Sequence, residues 1–436
     1  MPKTTTNTAK INRKNNQKPA KFLNSYDFSS IMQFIPHIRE WHSYKDLAGL
    51  SKPVKRMTLI TLLYYLGWGI TVPFLPLYFK EILGSYSAVG LVTGVLQLFS
   101  FLLAFMLGPI IDRVSKRSLI ALVLALYLPI SPLLLGLRTL THFLLFRTYH
   151  AVIATTYWLS SESYVRGHSN KGKESEAMAL FDAGSGLAQV IGALVGAALI
   201  VRYGYSILYA ISLFAGLALI AAFSLPDHKK EPLVQGFGYS LKEHILKSEL
   251  KDFLANKEFR NLVIFSFFFT LGTGFLAMLL PLFLDKIGAS LPLIGIITAI
   301  FFLPILFEPY FSTVRNKKAL LTASLALSAL LFLALFFTHD VLASFGLSFA
   351  LGITLAAATP IISGRLTQLM PKEKIGELSG ILYGIRSFAA GLSPIIAGYA
   401  SDIISINSAF IGGAVILAAL AVKSAGMNNP ESHRAG

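Results

Sequence analysis

Between residues 141 and 161 the side chains Arg147, His150, Ala154, Tyr157 and Ser161 recur at steps of three and four, the spacing that collects them on one helix face. An arginine there can hold an anion with fixed donors, a histidine can carry a proton near neutral pH, and a tyrosine can stack and hydrogen-bond. The same spacing gathers Tyr64, Trp68 and Thr71, then Thr93, Gln97 and Ser100, then Tyr383, Arg386 and Ser387. In one reading these residues line a single polar and aromatic cavity. In the other, the aromatics pack between helices while Gln97 and the hydroxyls bridge neighbours. Asp182, with Gly186 and Gln189 on its face, adds a carboxylate, so His150 and Asp182 are the candidates for carrying protons. Catalytic patterns are missing: no HExxH, GxSxG, Walker loop or strand-borne GxGxxG occurs, and there is no Cys. No metal, no cofactor and no enzymatic activity are expected.

The elements that must position these residues follow from composition. Of 436 residues 54% are hydrophobic and 14% charged, too apolar for one water-soluble core. Apolar runs long enough to cross ~30 Å of hydrocarbon as helix lie at 57–79, 88–107, 118–137, 141–161, 178–201, 205–225, 262–284, 291–311, 319–337, 341–363, 378–400 and 406–422, numbered here as spans one to twelve. They are continuous rather than alternating, which excludes a transmembrane β-barrel. The expected fold is an all-α membrane protein with twelve transmembrane helices.

A net charge of +16 raises nucleic acid as a partner, and its distribution answers the question. When loops are assigned alternately to two sides, one side holds 32 of the 38 Lys and Arg. Lys80, Arg138, Arg202 and Lys286 lie on the other, and Arg147 and Arg386 fall inside spans. By the positive-inside rule the basic side is cytoplasmic. The reading is a multi-pass protein of the cell membrane (inner or plasma membrane) with both termini cytoplasmic, a lipid-bilayer environment and no nucleic-acid partner. Residues 1–26 are rich in Lys, Asn and Thr without acids, as in a disordered tail. Apolar residues around Pro36, between Phe28 and Leu50, fit either a segment on the inner membrane surface or a loose linker.

An internal repeat organises the chain. LPLYFKEILGSYSAVGLVTG at 75–94 aligns without gaps to LPLFLDKIGASLPLIGIITA at 280–299, with Leu75/Leu280, Pro76/Pro281, Leu77/Leu282, Ser85/Ser290, Gly90/Gly295 and Thr93/Thr298 among the identities. Two six-helix bundles related by pseudo-symmetry follow. The expected boundaries are a tail at 1–56, bundles at 57–225 and 261–425, a cytoplasmic linker with an amphipathic helix at 226–260, and a tail at 426–436.

With GPIIDRVSKR after span two, this organisation resembles the major facilitator superfamily. The family's loop signature is matched by Gly108, Asp112, Arg113, Lys116 and Arg117, with Ser115 where a second Gly is usual. Arg147 resembles the family's intramembrane arginine of span four. The stretches GALVGA at 192–197 and SPIIAG at 393–398 resemble its antiporter motif, although Ala193 replaces the proline of the first. Small residues in both also serve close helix packing.

The resemblance implies secondary active transport of a small molecule by alternating access, coupled to protons or another ion, by a monomer whose site lies between the halves. Aromatic-rich stripes, together with a resemblance that leans toward drug-efflux-like members, point to export of amphipathic compounds. The alternatives are an uptake symporter or exchanger for a sugar or organic anion, and a receptor or scaffold that does not transport. The resemblance also places the loop after span two beside the start of span eleven, near Gly376 to Ser379. Asp112 would then meet the positive end of that helix, and Lys116 would meet Glu162.

Overall fold

The computed structural model describes residues 50–170, 173–226, 256–312, 314–369 and 375–427. The surface segment expected within 28–49 and the linker helix expected within 227–255 lie outside the described residues. Every one of the twelve apolar runs is helical, and no strand occurs among the described residues.

Span one is a bent pair, Lys52–Thr71 and Leu75–Leu83, turned by 45° where Pro73 and Pro76 interrupt the hydrogen-bond ladder. Spans two to six are Tyr86–Arg113, then Lys116–Tyr127 with Ile130–Gly136, Leu140–His168, Glu174–Tyr203, and Tyr209–Ala222 after a 3-10 turn at Gly204–Leu208. Span seven is Lys257–Thr273 with Leu276–Lys286, and span eight is Leu291–Phe302 continued by Leu303–Phe307 and Glu308–Ser312. Lys317–Phe337, Val341–Gln368, Ile375–Ile403 and Ser408–Ala425 complete the set.

By length and composition alone seven of these segments can cross a bilayer, or eight with the bent pair. One of the seven, Glu176–Ala222, has 47 residues, about 70 Å at 1.5 Å per residue and more than two hydrocarbon thicknesses. It turns at Gly204, whose φ of 51° is the left-handed region that suits glycine, and so makes two crossings. Leu140–His168 and Ile375–Ile403 are long enough but carry the polar side chains that the stripes require.

Four helices that start on the basic side open with a side-chain cap, whereas Glu174–Tyr203, which follows Lys173, has none. Ser51 accepts from Val54 N–H at 3.4 Å, Ser115 from Ser118 at 3.2 Å, Asn256 from Glu258 at 3.0 Å, and Asn316 from Ala319 at 3.0 Å. Each cap satisfies an N–H that the helix itself leaves open. The repeat is visible at the opposite side: Gly84 and Gly288 take φ of 76° and 87°, and each ends a first span just before a second begins.

Within the first half, span five lies on span one through glycine. A Cβ at Gly192 would stand 2.7 Å from Gly69 Cα, and one at Gly196 would meet the Ile70 carbonyl oxygen. GALVGA therefore packs helices, as small residues do where lipid provides no hydrophobic drive for association. Between the halves, span two runs along span eleven and span five along span eight. Cβ atoms added at Gly90 and Gly398 would strike the carbonyls of Pro394 and Tyr86, so SPIIAG is a backbone contact surface too. The halves are closed against each other on the side opposite the basic loops.

Candidate functional site

Span four presents its stripe inward, into its own half. Arg147 is 7% exposed, His150 4% and Tyr157 1%, and Ser161 is fully buried. Trp68 of span one stacks on His150 at 4.7 Å with planes 4° apart. Tyr64 lies 4.1 Å from the Tyr157 ring and donates to the Tyr127 hydroxyl at 2.6 Å. Thr61 and Tyr157 share a hydrogen bond of 3.2 Å.

Arg147 Nη1 is 3.2 Å from His150 Nδ1. A guanidinium can only donate, so Nδ1 accepts and the ring proton sits on Nε2. The guanidinium carbon also lies 4.9 Å over the Phe79 ring, a cation–π contact. Tyr64, Trp68, Arg147, His150 and Tyr157, the cavity candidates of the sequence, pack on one another where spans one, three and four meet. Spacing identifies a face but not its partner, and Tyr127 of span three, absent from the stripes, fills that role.

The surface between the halves is built by the next residues along. Tyr65 and Trp158 are half-buried and meet edge-on at 6.1 Å, and Trp158 packs on the buried Phe181. Asp182 follows Phe181, roughly two turns inside its helix. Glu162 and Arg166 of span four are within electrostatic range of Asp182. From the second half, Glu308 is within range of Asp182, and Tyr383 is within range of Glu162 and Tyr65. A carboxylate is thus flanked by aromatic and charged side chains from spans one, four, five, eight and eleven.

Tyr65, Trp158 and Glu308 are the residues that the stripes missed. One residue is about 100° of helix rotation, enough to exchange a core face for an interfacial one. The available signal was adjacency: each missed aromatic follows a predicted one directly.

Arg386 belongs to a different environment from Arg147. Its Nε donates to Ser266 at 2.8 Å and its Nη2 to Ser363 at 3.1 Å, joining spans seven, ten and eleven within the second half. Gln97 is half-buried on span two, next to Leu98, which touches Gly391 of span eleven.

In the loop after span two, the side chains of Asp112 and Arg113, like those of Glu377 to Ser379, lie outside the described residues. Lys116 donates to the Ser163 carbonyl of span four at 3.3 Å, and Arg117 donates to the Phe223 carbonyl at 3.0 Å. Glu162 pairs with Arg166 at 2.6 Å rather than with Lys116. Those two residues are one helical turn apart on the same helix, which makes the local pair geometrically easier. Among the described residues no group of three His, Asp or Glu side chains converges to hold a metal ion.

Comparison with known proteins places the chain. The profile described as Major Facilitator Superfamily matches residues 57–307 and 262–434. The nucleoside transporter NupG superposes with a TM-score of 0.69 at 15% identity, over 86% of this chain and 98% of that one. The human organic anion transporter MFSD10 (TETRAN) gives 0.63 at 17%, over 85% and 98%. A bacterial homolog of the human lysosomal transporter Spinster, inward-facing and occupied, gives 0.65 at 16%, over 86% and 97%. At these identities the likeness is one of fold. No curated protein matches in sequence.

Proposed function

Since the chain belongs to the Major Facilitator Superfamily, and is accordingly a multi-pass membrane transporter of small molecules and not an enzyme, we propose that it works as a secondary transporter exporting amphipathic compounds. The observation that carries this reading is the pairing of aromatic faces with carboxylates between the halves: Tyr65, Trp158 and Tyr383 beside Asp182 and Glu308. Aromatic rings offer apolar area with a polar edge, and an ionisable side chain inside a span is expensive enough that it is retained for function. Asp182, facing Glu308 across the interface, is the proposed proton carrier. Two like charges in range of each other oppose closure of the basic side, and a proton bound by either relieves that opposition.

In this reading the protein sits in the cell membrane as a monomer with both termini cytoplasmic, and the basic side faces the cytoplasm. Alternating access then requires the halves to part on the side where they now touch. A second reading, uptake of a sugar or organic anion, has Arg386 in its favour, since that half-buried guanidinium is a donor fork suited to an anion.

Flux in proteoliposomes under imposed proton and substrate gradients decides among these. Proton-driven movement of amphipathic dyes out of the compartment on the basic side supports export. Movement of sugars or organic anions toward the basic side supports the second reading. A flat response to every gradient and compound leaves the non-transporting receptor.

A further inference from the structure

Three N–H groups open span two, and the helix cannot satisfy them from within. Ser85 serves one of them from its own half, accepting from Ala88 N–H through Oγ at 3.1 Å. The other two are served from the far half of the molecule. Asp402, at the end of span eleven and beyond its apolar run, accepts from Tyr86 N–H through Oδ1 at 3.0 Å and from Ser87 N–H through Oδ2 at 2.7 Å. One carboxylate thus caps a helix more than three hundred residues earlier in the chain.

Two independent features make the contact feasible. The first is backbone proximity, because Gly90 and Gly398 have no Cβ to hold spans two and eleven apart. The second is charge: the N-terminal end of a helix carries about half a positive charge, and Lys80, whose ammonium lies 4.0 Å from the Tyr86 ring centroid, also acts on Asp402. Partial burial pushes the Asp402 carboxyl upward. The hydrogen bonds from the Ser87 and Tyr86 amides, with the Lys80 charge, outweigh that effect and hold it below the usual carboxylate range.

We propose that Asp402 is an inter-half latch, the contact that holds the side opposite the basic loops closed and that must break whenever the transporter opens there. Both hydrogen bonds cross from one half to the other, so opening by rotation of the halves exposes two helix-end amides and a carboxylate to water together. The latch is selective for one state because nothing in either half alone reproduces it.

The absence of native Cys permits a direct test in nanodiscs, where both faces are accessible to a maleimide. Ala197, 3% exposed and facing Gly295 across the interface between spans five and eight, is replaced by Cys as the reporter of opening. Asp402→Ala should raise its labelling rate roughly two- to fivefold, the size of an exposed carboxylate–helix-end interaction. Asp402→Asn should give an intermediate increase and Asp402→Glu a rate near the parent.

Ser85→Ala, which removes a cap made within one half, should leave the rate unchanged. An equal effect of Ser85→Ala would assign the change to helix-end stability and overturn the latch, as would unchanged labelling in both Asp402→Ala and Asp402→Asn. Ala188→Cys, fully buried within the first half, should stay protected in every variant. Its exposure in Asp402→Ala would mean unfolding rather than opening and would likewise overturn the proposal.

Discussion

The indole of Trp68 lies flat on the imidazole of His150, ring centroids 4.7 Å apart, and the contact joins spans one and four into a single buried unit. Its partners are Tyr127, edge-on to both rings at 6.3 and 5.8 Å, and Arg147, hydrogen-bonded to the imidazole. A core of this kind is a stability element before it is a binding element. Trp68→Ala should therefore destabilise the first half by about 3–5 kcal/mol, the range for emptying a large aromatic site, whereas Gln97→Ala should change little. Thermal unfolding of the purified protein in detergent reads both. A small loss for Trp68→Ala would return these residues to a cavity.

Neighbouring aromatics should behave oppositely toward a water-soluble thiol reagent. Cys at Tyr65, Trp158 or Tyr383 should react, and Cys at Tyr64 or Tyr157 should be protected, because one residue of rotation separates interface from core. Reaction at Tyr64 and protection at Tyr65 would reverse the assignment of faces.

Asp182→Asn and Glu308→Gln should each reduce transport driven by a proton gradient to background while substrate exchange without a gradient survives. The measurement is counterflow beside pH-driven flux in the same vesicles. Loss of both activities together would make the carboxylates part of substrate binding instead.

The pH dependence of the latch is fixed by sign. Asp402 has a lowered pKa in the closed arrangement, so its contribution to closure is complete above the ordinary carboxyl value of ~3.9 and is lost only as pH falls through the lowered value. Between about pH 5 and 8 the latch is constant. Asp402→Asn should consequently shift labelling of the Ala197 reporter by the same factor throughout that window, and a factor that changes with pH there would contradict the assignment.

What the sequence alone determined is what each residue carries independently of its partners. Hydropathy marks the spans, because every apolar residue adds to transfer from water to lipid regardless of which helix it later touches. The gapless repeat at 75–94 and 280–299 shows the two bundles, and Pro73 and Pro76 mark the bend of span one. The tertiary structure alone decided which faces meet. Helical period groups Arg147, His150 and Tyr157 whether they face a cavity or Trp68 and Tyr64, because lipid and helix neighbour are both apolar and the pattern does not distinguish them. Asp402 carries no signal of its role in the sequence, since its partners are the backbone amides of Tyr86 and Ser87. Every residue but proline owns such an amide, so no residue type announces the site, and only the crossing of spans two and eleven brings carboxylate and helix end together.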